Sequence, residues 1–474
     1  MSKHRLSVSR RSFVAAVGSA PLLACDPGPS DPPDDDDVEV DLDVVIVGAG
    51  LSGLTAARAL SLAGYSVRVL EARDAVGGRT MDWDVGPGAV AEGGAQWVGT
   101  TQTAILQLAE ELGVETFPAE VPGNTRYHFD GFTFDAPPDE PSPEALALQA
   151  ELDALAATVP VDAPWDAPSA AMLDAQTVEE WLMAQGASAE VADEIRLPIL
   201  VFLGDTSQLS LLYLAFYIAS AGSFAALETG AQSHRLVGGP QQLSVLMADG
   251  LADALSLSTP VASIEETDTH VQVTTEQDTF TAHRVIVAMP PSDADRIKFD
   301  PPLPPTRAQL QSSWVATPGV KQHLVYADPF WRDEGLSGTA FTDLPIIIVS
   351  FDASPADASV GVLVVFPNVD ALPETAAARE SALVDEITTV FGKQAATPTG
   401  YFEKDWDEEP WISGCVSPLP PGVLTQSGPA LRTPVGRVHW AGTETAQIWT
   451  GYMDGAVRAG QRAALEVADA IGTN

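Results

Sequence analysis

Residues 43–80 read DVVIVGAGLSGLTAARALSLAGYSVRVLEARDAVGGRT, and their order decides the fold. Asp43–Val47 is an apolar run of strand length, after which Gly48, Gly50 and Gly53 open a helix that begins near Leu51. Gly48 permits the tight turn, Gly50 lets a pyrophosphate approach the backbone, and Gly53 lets helix pack closely on strand. Phosphates then meet the positive end of the helix, with Ser52 in its first turn. Val67–Leu70 is the returning strand. Glu71 stands at its end, about twenty residues beyond the glycines, where ribose hydroxyls can donate to a carboxylate. An acid in place of an arginine disfavours a 2′-phosphorylated nucleotide. Together these features spell a dinucleotide-binding β-α-β unit, and the second glycine pair, Gly77-Gly78, points to FAD.

At 474 residues the chain is long enough for two domains with a core to match. Its formal charge of −41 repels nucleic acid and anionic lipid over the whole surface, which excludes both as partners. The same field either draws in cationic substrates such as amines or, the reading the composition favours, serves solubility or adaptation to salt. Lysine is scarce: Lys3, Lys298, Lys321, Lys393 and Lys404 are the full set, so a lysine inside an apolar strand stands out. No repeat is visible, no metal site is expected, and no apolar anchor precedes Asn474.

The N-terminus reads as a targeting segment rather than fold. Ser9-Arg10-Arg11-Ser12-Phe13-Val14 resembles the twin-arginine export motif, Phe13–Ala24 is apolar but too short to span a bilayer, and Leu22-Leu23-Ala24-Cys25 resembles a lipoprotein cleavage box. The mature chain is expected to begin at Cys25, as an exported periplasmic or cell-surface lipoprotein. Asp26–Asp41 is an acidic, proline-rich tether too poor in apolar residues to fold. Cys25 and Cys415 are the only cysteines, so with Cys25 lipidated a disulfide framework is excluded despite export. Cys415 is then either a buried spectator or a reactive thiol.

Beyond Glu71 the sequence resembles a known family. Arg73, Gly77-Gly78-Arg79-Thr80 and Gly94-Ala95-Gln96-Trp97-Val98-Gly99 are similar to the flavin-contacting segments of the FAD-dependent amine oxidases, the family that includes monoamine oxidase. Arg235-Leu236-Val237-Gly238-Gly239 and the strand Val285–Ala288 with Met289-Pro290-Pro291 also match. So do Asp405-Trp406, Ser413-Gly414-Cys415, Pro420-Pro421-Gly422, Ala441-Gly442-Thr443-Glu444-Thr445 and Trp449-Thr450-Gly451-Tyr452-Met453. The resemblance spans about residues 43–471. It implies a cofactor set of Gly48, Gly50, Ser52, Gly53, Glu71, Arg73, Gly78, Arg79, Thr80, Gly94, Ala95, Gln96, Trp97, Val261, Cys415, Glu444, Tyr452 and Met453. Arg79 can neutralise a diphosphate through charge-assisted bonds.

The resemblance also implies roles. Cys415 falls where close relatives carry a flavin-linking cysteine, although many members bind FAD without a bond. Lys321, in Gly319-Val320-Lys321-Gln322-His323-Leu324-Val325-Tyr326, matches a lysine that holds a water near flavin N5, where an ammonium would stabilise developing negative charge. Tyr452 matches one wall of an aromatic cage that orients the substrate amine. The other wall is an aromatic directly after the linking cysteine, and here that residue is Val416, for which Trp449 or Tyr217 could compensate. Trp406 matches a tryptophan beside the flavin, Gln232 a glutamine facing the substrate cavity, and Phe224 and Ala225 fall near its gate. Related amino-acid oxidases place an arginine near the Gly94–Val98 segment to pair with the substrate carboxylate. This chain has Gln96-Trp97 there, which favours an amine without an α-carboxylate.

The expected fold is therefore α/β: a Rossmann-like FAD-binding domain, residues 43–116, 226–308 and 405–474, with an inserted discontinuous substrate domain of mixed sheet and helices, residues 117–225 and 309–404. Residues 1–25 are the export signal and 26–42 the tether. The expected activity is oxidative deamination of a primary amine or polyamine, with O2 reduced to H2O2. An amine dehydrogenase with a periplasmic or membrane acceptor, an L-amino-acid oxidase and a non-catalytic flavin-binding protein are the alternatives.

Overall fold

A computed structural model describes residues 40–472, apart from 139, 316, 318 and 415–417. Its first strand, Leu42–Val47, buries Val44, Val45, Ile46 and Val47 without alternation, the pattern of a strand covered on both faces. That strand lies in an eight-stranded mixed sheet, between Val67–Leu70 on one side and Thr279–Val287 on the other, parallel to both. Val438–Trp440 also pairs parallel to Thr279–Val287, which carries the C-terminal part of the chain back to the glycine loop. The helices Leu51–Leu62 and Met453–Gly472 pack on this sheet through Leu54, Ala57, Val457 and Ala464, all buried in one apolar cluster.

A second sheet has seven strands in the order Gly400–Asp405, Val320–Tyr326, Gly361–Pro367, Ile347–Asp352, Leu336–Thr342, Asn124–Phe129, Phe132–Ala136. It is antiparallel except where Leu336–Thr342 meets Asn124–Phe129. One face buries Leu324, Tyr326, Leu363 and Val365 against the helix Ala376–Phe391. The other face presents Val325, Val362 and Val364 to Ala91, Trp83 and Trp97. Lys321 and His323 share that second face with Val325, because alternate residues of a strand point the same way. A separate apolar cluster holds the helix Leu211–Ala221, in which every residue from Leu211 to Ile218 is buried.

The expected α/β class is the one observed: a Rossmann-like unit joined to a mixed sheet and a helical layer. Among the described residues no single helix is long and apolar enough to cross a membrane. The bent pair Leu211–Ala221 and Phe224–Gln232 has the length and composition, but Leu211–Ala221 is a core helix.

Candidate active site

The glycine loop is built by contact. Gly48 takes φ +101°, a conformation that suits glycine, and its N–H donates to Leu70 O at 2.8 Å. A Cβ at Gly53 would stand 2.0 Å from Gly48 O, so helix and strand touch there with no room for a methyl. A Cβ at Gly50 would stand 3.9 Å from Gly77 O and from Gly78 Cα, an ordinary contact distance, so the bare backbone here lies directly against the second glycine pair. The helix Leu51–Leu62 has no side-chain cap at its N-terminus, the arrangement that receives an anion. Gly77 bridges to Gly50, and its N–H donates to Ala49 O at 3.0 Å, so both glycine pairs share one wall.

Glu71 is buried at the end of its strand, where Oε2 accepts from Ala49 N at 2.6 Å and Oε1 from Arg73 N at 2.9 Å. Burial pushes its carboxyl upward, and the backbone N–H groups of Arg73 and Ala49 draw it back. The carboxylate thus braces the glycine loop with one lone pair on each oxygen, leaving the others for ribose hydroxyls. Val261 opens the strand Val261–Glu266, two residues after Thr259, whose N–H donates to Glu71 O at 2.7 Å. Arg73 donates to Gly78 O at 3.0 Å, and the Thr80 hydroxyl to Gly77 O at 2.9 Å.

Arg79 pairs with Glu444 at 2.8 Å, so its charge meets a carboxylate as well as any diphosphate. The second oxygen of Glu444, Oε2, is buried without a hydrogen-bond partner in the protein, a cost that a bound group carrying a donor would relieve. With the uncapped helix N-terminus behind the glycine loop, this orphaned oxygen makes the residues present fit an FAD. Met453 is buried at the start of the C-terminal helix, and the next residue, Asp454, caps the helix Thr103–Leu112 by accepting from Ala104 N and Ile105 N at 2.7 and 3.0 Å.

Lys321 is buried on the second sheet, with Nζ 2.9 Å from Glu92 O, 2.9 Å from Gly94 O and 2.8 Å from Gln96 Oε1. The Trp97 and Phe366 rings lie 5.3 and 5.6 Å from the ammonium. An ammonium has three donors, and three protein oxygens stand within bonding distance of it. Trp406 is buried beside it and donates from Nε1 to Gly93 O at 3.1 Å. Ala95 N donates to Arg79 O at 3.0 Å, so residues 92–97 join the lysine to the wall of the glycine cradle. His323, fully buried two residues along the strand, packs edge-on against Trp83. Burial, with Lys321 and Arg235 adding, holds its imidazole far below the usual range, so it is neutral.

Tyr452 has a buried hydroxyl without a partner, and burial pushes its phenol well above the ordinary range. Its ring lies 5.0 Å from Trp449 and 5.8 Å from Tyr217, the two residues expected to compensate for the missing cage wall. Tyr217 stacks on Phe202 at 6.2 Å, and Phe202 meets Phe224 at 6.0 Å. A continuous aromatic row therefore runs from Tyr452 to Phe224, with Ala225 exposed beyond it. Gln232 is half-buried on the turn Gly230–Gln232, which abuts Gly99 closely enough that a Cβ there would lie 2.5 Å from Gly230 O. Cys415, Val416 and the targeting residues 1–39 lie outside the described residues. The chain on the N-terminal side of Cys415 is anchored by Ser413, whose N–H donates to the buried Asp293 Oδ1 at 3.1 Å.

Sequence reasoning missed Glu92, Asp293 and the Phe351–Phe366 pair, and it quoted Arg235 without a role. Glu92 and Arg235 form a buried ion pair at 2.6 Å. The signal was present in an acid that ends the short apolar run Ala89–Glu92 directly before Gly93-Gly94. Asp82, opposite Glu92 in the hairpin, has its carboxyl pushed up to about 7 by burial and by the Glu92 charge.

A family model for flavin-containing amine oxidoreductases matches residues 51–468. The chain is 38% identical over 441 residues to a Mycobacterium tuberculosis protein described as a flavin-containing monoamine oxidase, covering 90% of this chain and 96% of that one. It is 35% identical over 450 residues to an L-amino acid dehydrogenase of Synechocystis, covering 90% and 94%. The solved structure of cyclohexylamine oxidase from Brevibacterium oxydans matches with a TM-score of 0.84 at 37% identity, covering 91% of this chain and 100% of that one.

Proposed function

The chain belongs to the flavin-containing amine oxidoreductases, and from that premise we propose that its substrate is a primary amine or polyamine without an α-carboxylate, with dioxygen as electron acceptor. When bound, FAD supplies a two-electron acceptor for the amine's α-carbon and returns the electrons to dioxygen, so that the amine leaves as an imine hydrolysed to aldehyde and ammonia, and H2O2 forms. The observation that carries the reading is the meeting of the glycine cradle with a buried ammonium on residues 92–97. Gly48, Gly50, Gly53, Glu71 and Arg79 hold the cofactor. Lys321 supplies a fixed positive charge in a water-poor site, where it favours negative charge as it develops. Tyr452, Trp449 and Tyr217 line the approach of the amine and keep it dry. We assign residues 43–116, 226–308 and 405–474 to cofactor binding, and residues 117–225 and 309–404 to the substrate side.

The preference for amines has a physical basis. Arg235 is the guanidinium that the strand ladder brings beside Trp97, and it is occupied by both oxygens of Glu92 and by Ser354 O, at 2.6, 2.8 and 2.7 Å. A substrate carboxylate would have to break a buried ion pair to reach it. The likeness to an L-amino acid dehydrogenase favours a second reading, in which α-amino acids are oxidised and the electrons pass to another acceptor. Turnover of an amine panel and its α-carboxylated counterparts, with and without oxygen, separates the two. Amines should release H2O2; a preference for the amino acids, or turnover only with an added acceptor, reverses the assignment.

Two finer proposals rest on sequence. The first is a thioether from Cys415 to the flavin, supported by the Ser413-Gly414-Cys415 match. Acid precipitation should leave yellow colour in the pellet and Cys415→Ala should release it, whereas free FAD above the wild-type pellet refutes the bond. The second is export in the folded state as a lipoprotein, supported by Arg10-Arg11 in register with the box ending at Cys25. Changing both arginines to lysine should trap the precursor inside the cell, and normal export of that variant removes the assignment.

A further inference from the structure

We propose that Arg235 and Glu92 are positioning residues for Lys321, clamping the short segment whose oxygens fix where the ammonium stands. The proposal deepens the reading of Lys321 given above and rests on it only for its catalytic consequence. Three acceptors of Lys321, Glu92 O, Gly94 O and Gln96 Oε1, belong to residues 92–97. Arg235 grips both ends of that segment. At one end its guanidinium holds the Glu92 carboxylate through Nε at 3.1 Å and Nη2 at 2.6 and 2.8 Å. At the other end its backbone pairs with Trp97 in the ladder between Trp97–Val98 and His234–Leu236. The third donor group, Nη1, reaches Ser354 O at 2.7 Å, so the clamp is itself moored to the loop between Ile347–Asp352 and Gly361–Pro367, two strands of the sheet that carries Lys321.

The pair is buried deeply enough for its geometry to matter: the two side chains are 4% and 0% exposed. On its outer side Arg235 lies over the Phe117 ring at 5.3 Å, which shuts off one direction of escape. Two glycines, Gly93 and Gly94, sit inside the clamped segment; their N–H groups donate to Met81 O at 2.8 and 3.3 Å, and Gly94 has no side chain to hold its carbonyl further. A bidentate pair fixes the Glu92 end as a rigid fork, which a lysine at 235 could not reproduce. Glu92 is thus bound twice, by its carboxylate to Arg235 and by its carbonyl to Lys321. A shift of the fork moves the carbonyl and the ammonium together.

The small number of lysines gives a direct readout. Protein grown with lysine carrying carbon-13 at the ε position, loaded with FAD or free of it, should give few signals, and the one lost in Lys321→Met is Lys321. In Glu92→Gln and in Arg235→Gln, neither of which adds a lysine, that signal should move, while the signal of Lys404 stays in place. Lys404 is the register partner of Lys321 and is held at 2.8 Å by Glu409, outside the clamp. Reaction of the reduced holoenzyme with oxygen should slow by about tenfold in both variants, with reduction by amine retained. Where one buried charge left alone spoils folding, the double variant Glu92→Gln with Arg235→Gln removes both and gives the same readout. A Lys321 signal at its wild-type position in these variants overturns the proposal, whatever Lys321 does. A displaced signal with an unchanged oxygen reaction upholds the positioning and refutes the catalytic reading of Lys321 instead.

Discussion

Replacing Lys321 with methionine is expected to slow the reaction of the reduced enzyme with oxygen by about 10²–10³-fold, the loss typical of removing one preorganised charge from a dry site. Methionine keeps the length and the apolar stem but removes the charge that Trp97 and Phe366 surround at 5.3 and 5.6 Å. Reduction by amine should change far less, since the charge acts where oxygen takes up electrons. Stability should fall as well, because Glu92 O, Gly94 O and Gln96 Oε1 each lose a donor, and a buried group left unsatisfied costs about 1–3 kcal/mol. Lys321→Arg separates the two effects: it keeps the charge but cannot fit three converging acceptors with one planar fork. Stopped-flow reoxidation of the three proteins decides the matter. An unchanged oxygen reaction in Lys321→Met leaves the residue as a structural strut that ties residues 92–97 to the second sheet.

The lysine also shows how far a sequence can be read. Its burial was legible, because a rare charged residue inside Val320–Tyr326 has few reasons to be there. Its partners were not, since two are backbone carbonyls and the segment that supplies them is separated by more than two hundred residues. The β-α-β unit was legible down to Gly48, Gly50 and Gly53, because the turn and the approach of helix to loop are local, although Ala288 also crowds Gly48 and Gly53 from far along the chain. Glu71 was placed correctly at its strand end, yet its bonds to Ala49 and Arg73 came only with the three-dimensional turn. The same limit hid the Glu92–Arg235 pair, in which a lone acid and a lone arginine look like two surface charges until the ladder brings Trp97 beside Arg235. The aromatic row from Tyr452 to Phe224 was named residue by residue, but its continuity depends on Phe202, which no pattern singled out.

The glycine loop yields the other large effect, through two substitutions that look alike and should fail differently. Gly53→Ala puts a methyl 2.0 Å from Gly48 O and 3.1 Å from the Ala288 side chain. Neither the loop carbonyl nor the strand behind it can retreat, since Gly48 N is tied to Leu70 O and Ala288 N to Val47 O, both at 2.8 Å. The cost should reach or exceed the upper end of the about 1–3 kcal/mol seen for overpacked cores, and the protein should lose thermal stability with or without FAD. Gly50→Ala meets nothing nearer than 3.9 Å, and Gly50 has φ −76°, which alanine adopts freely. Its methyl stands at ordinary contact distance from Gly77 O and Gly78 Cα, so the apoprotein should melt where the wild-type apoprotein does, while it adds bulk to the loop that the pyrophosphate is assigned to cross. FAD affinity, however, should fall by at least tenfold, about 1.4 kcal/mol. Melting curves and FAD titrations of the two apoproteins test the pair together. Wild-type FAD affinity in Gly50→Ala would mean that the pyrophosphate does not cross the loop at that residue, and the cradle assigned to Gly48, Gly50 and Gly53 would have to be redrawn.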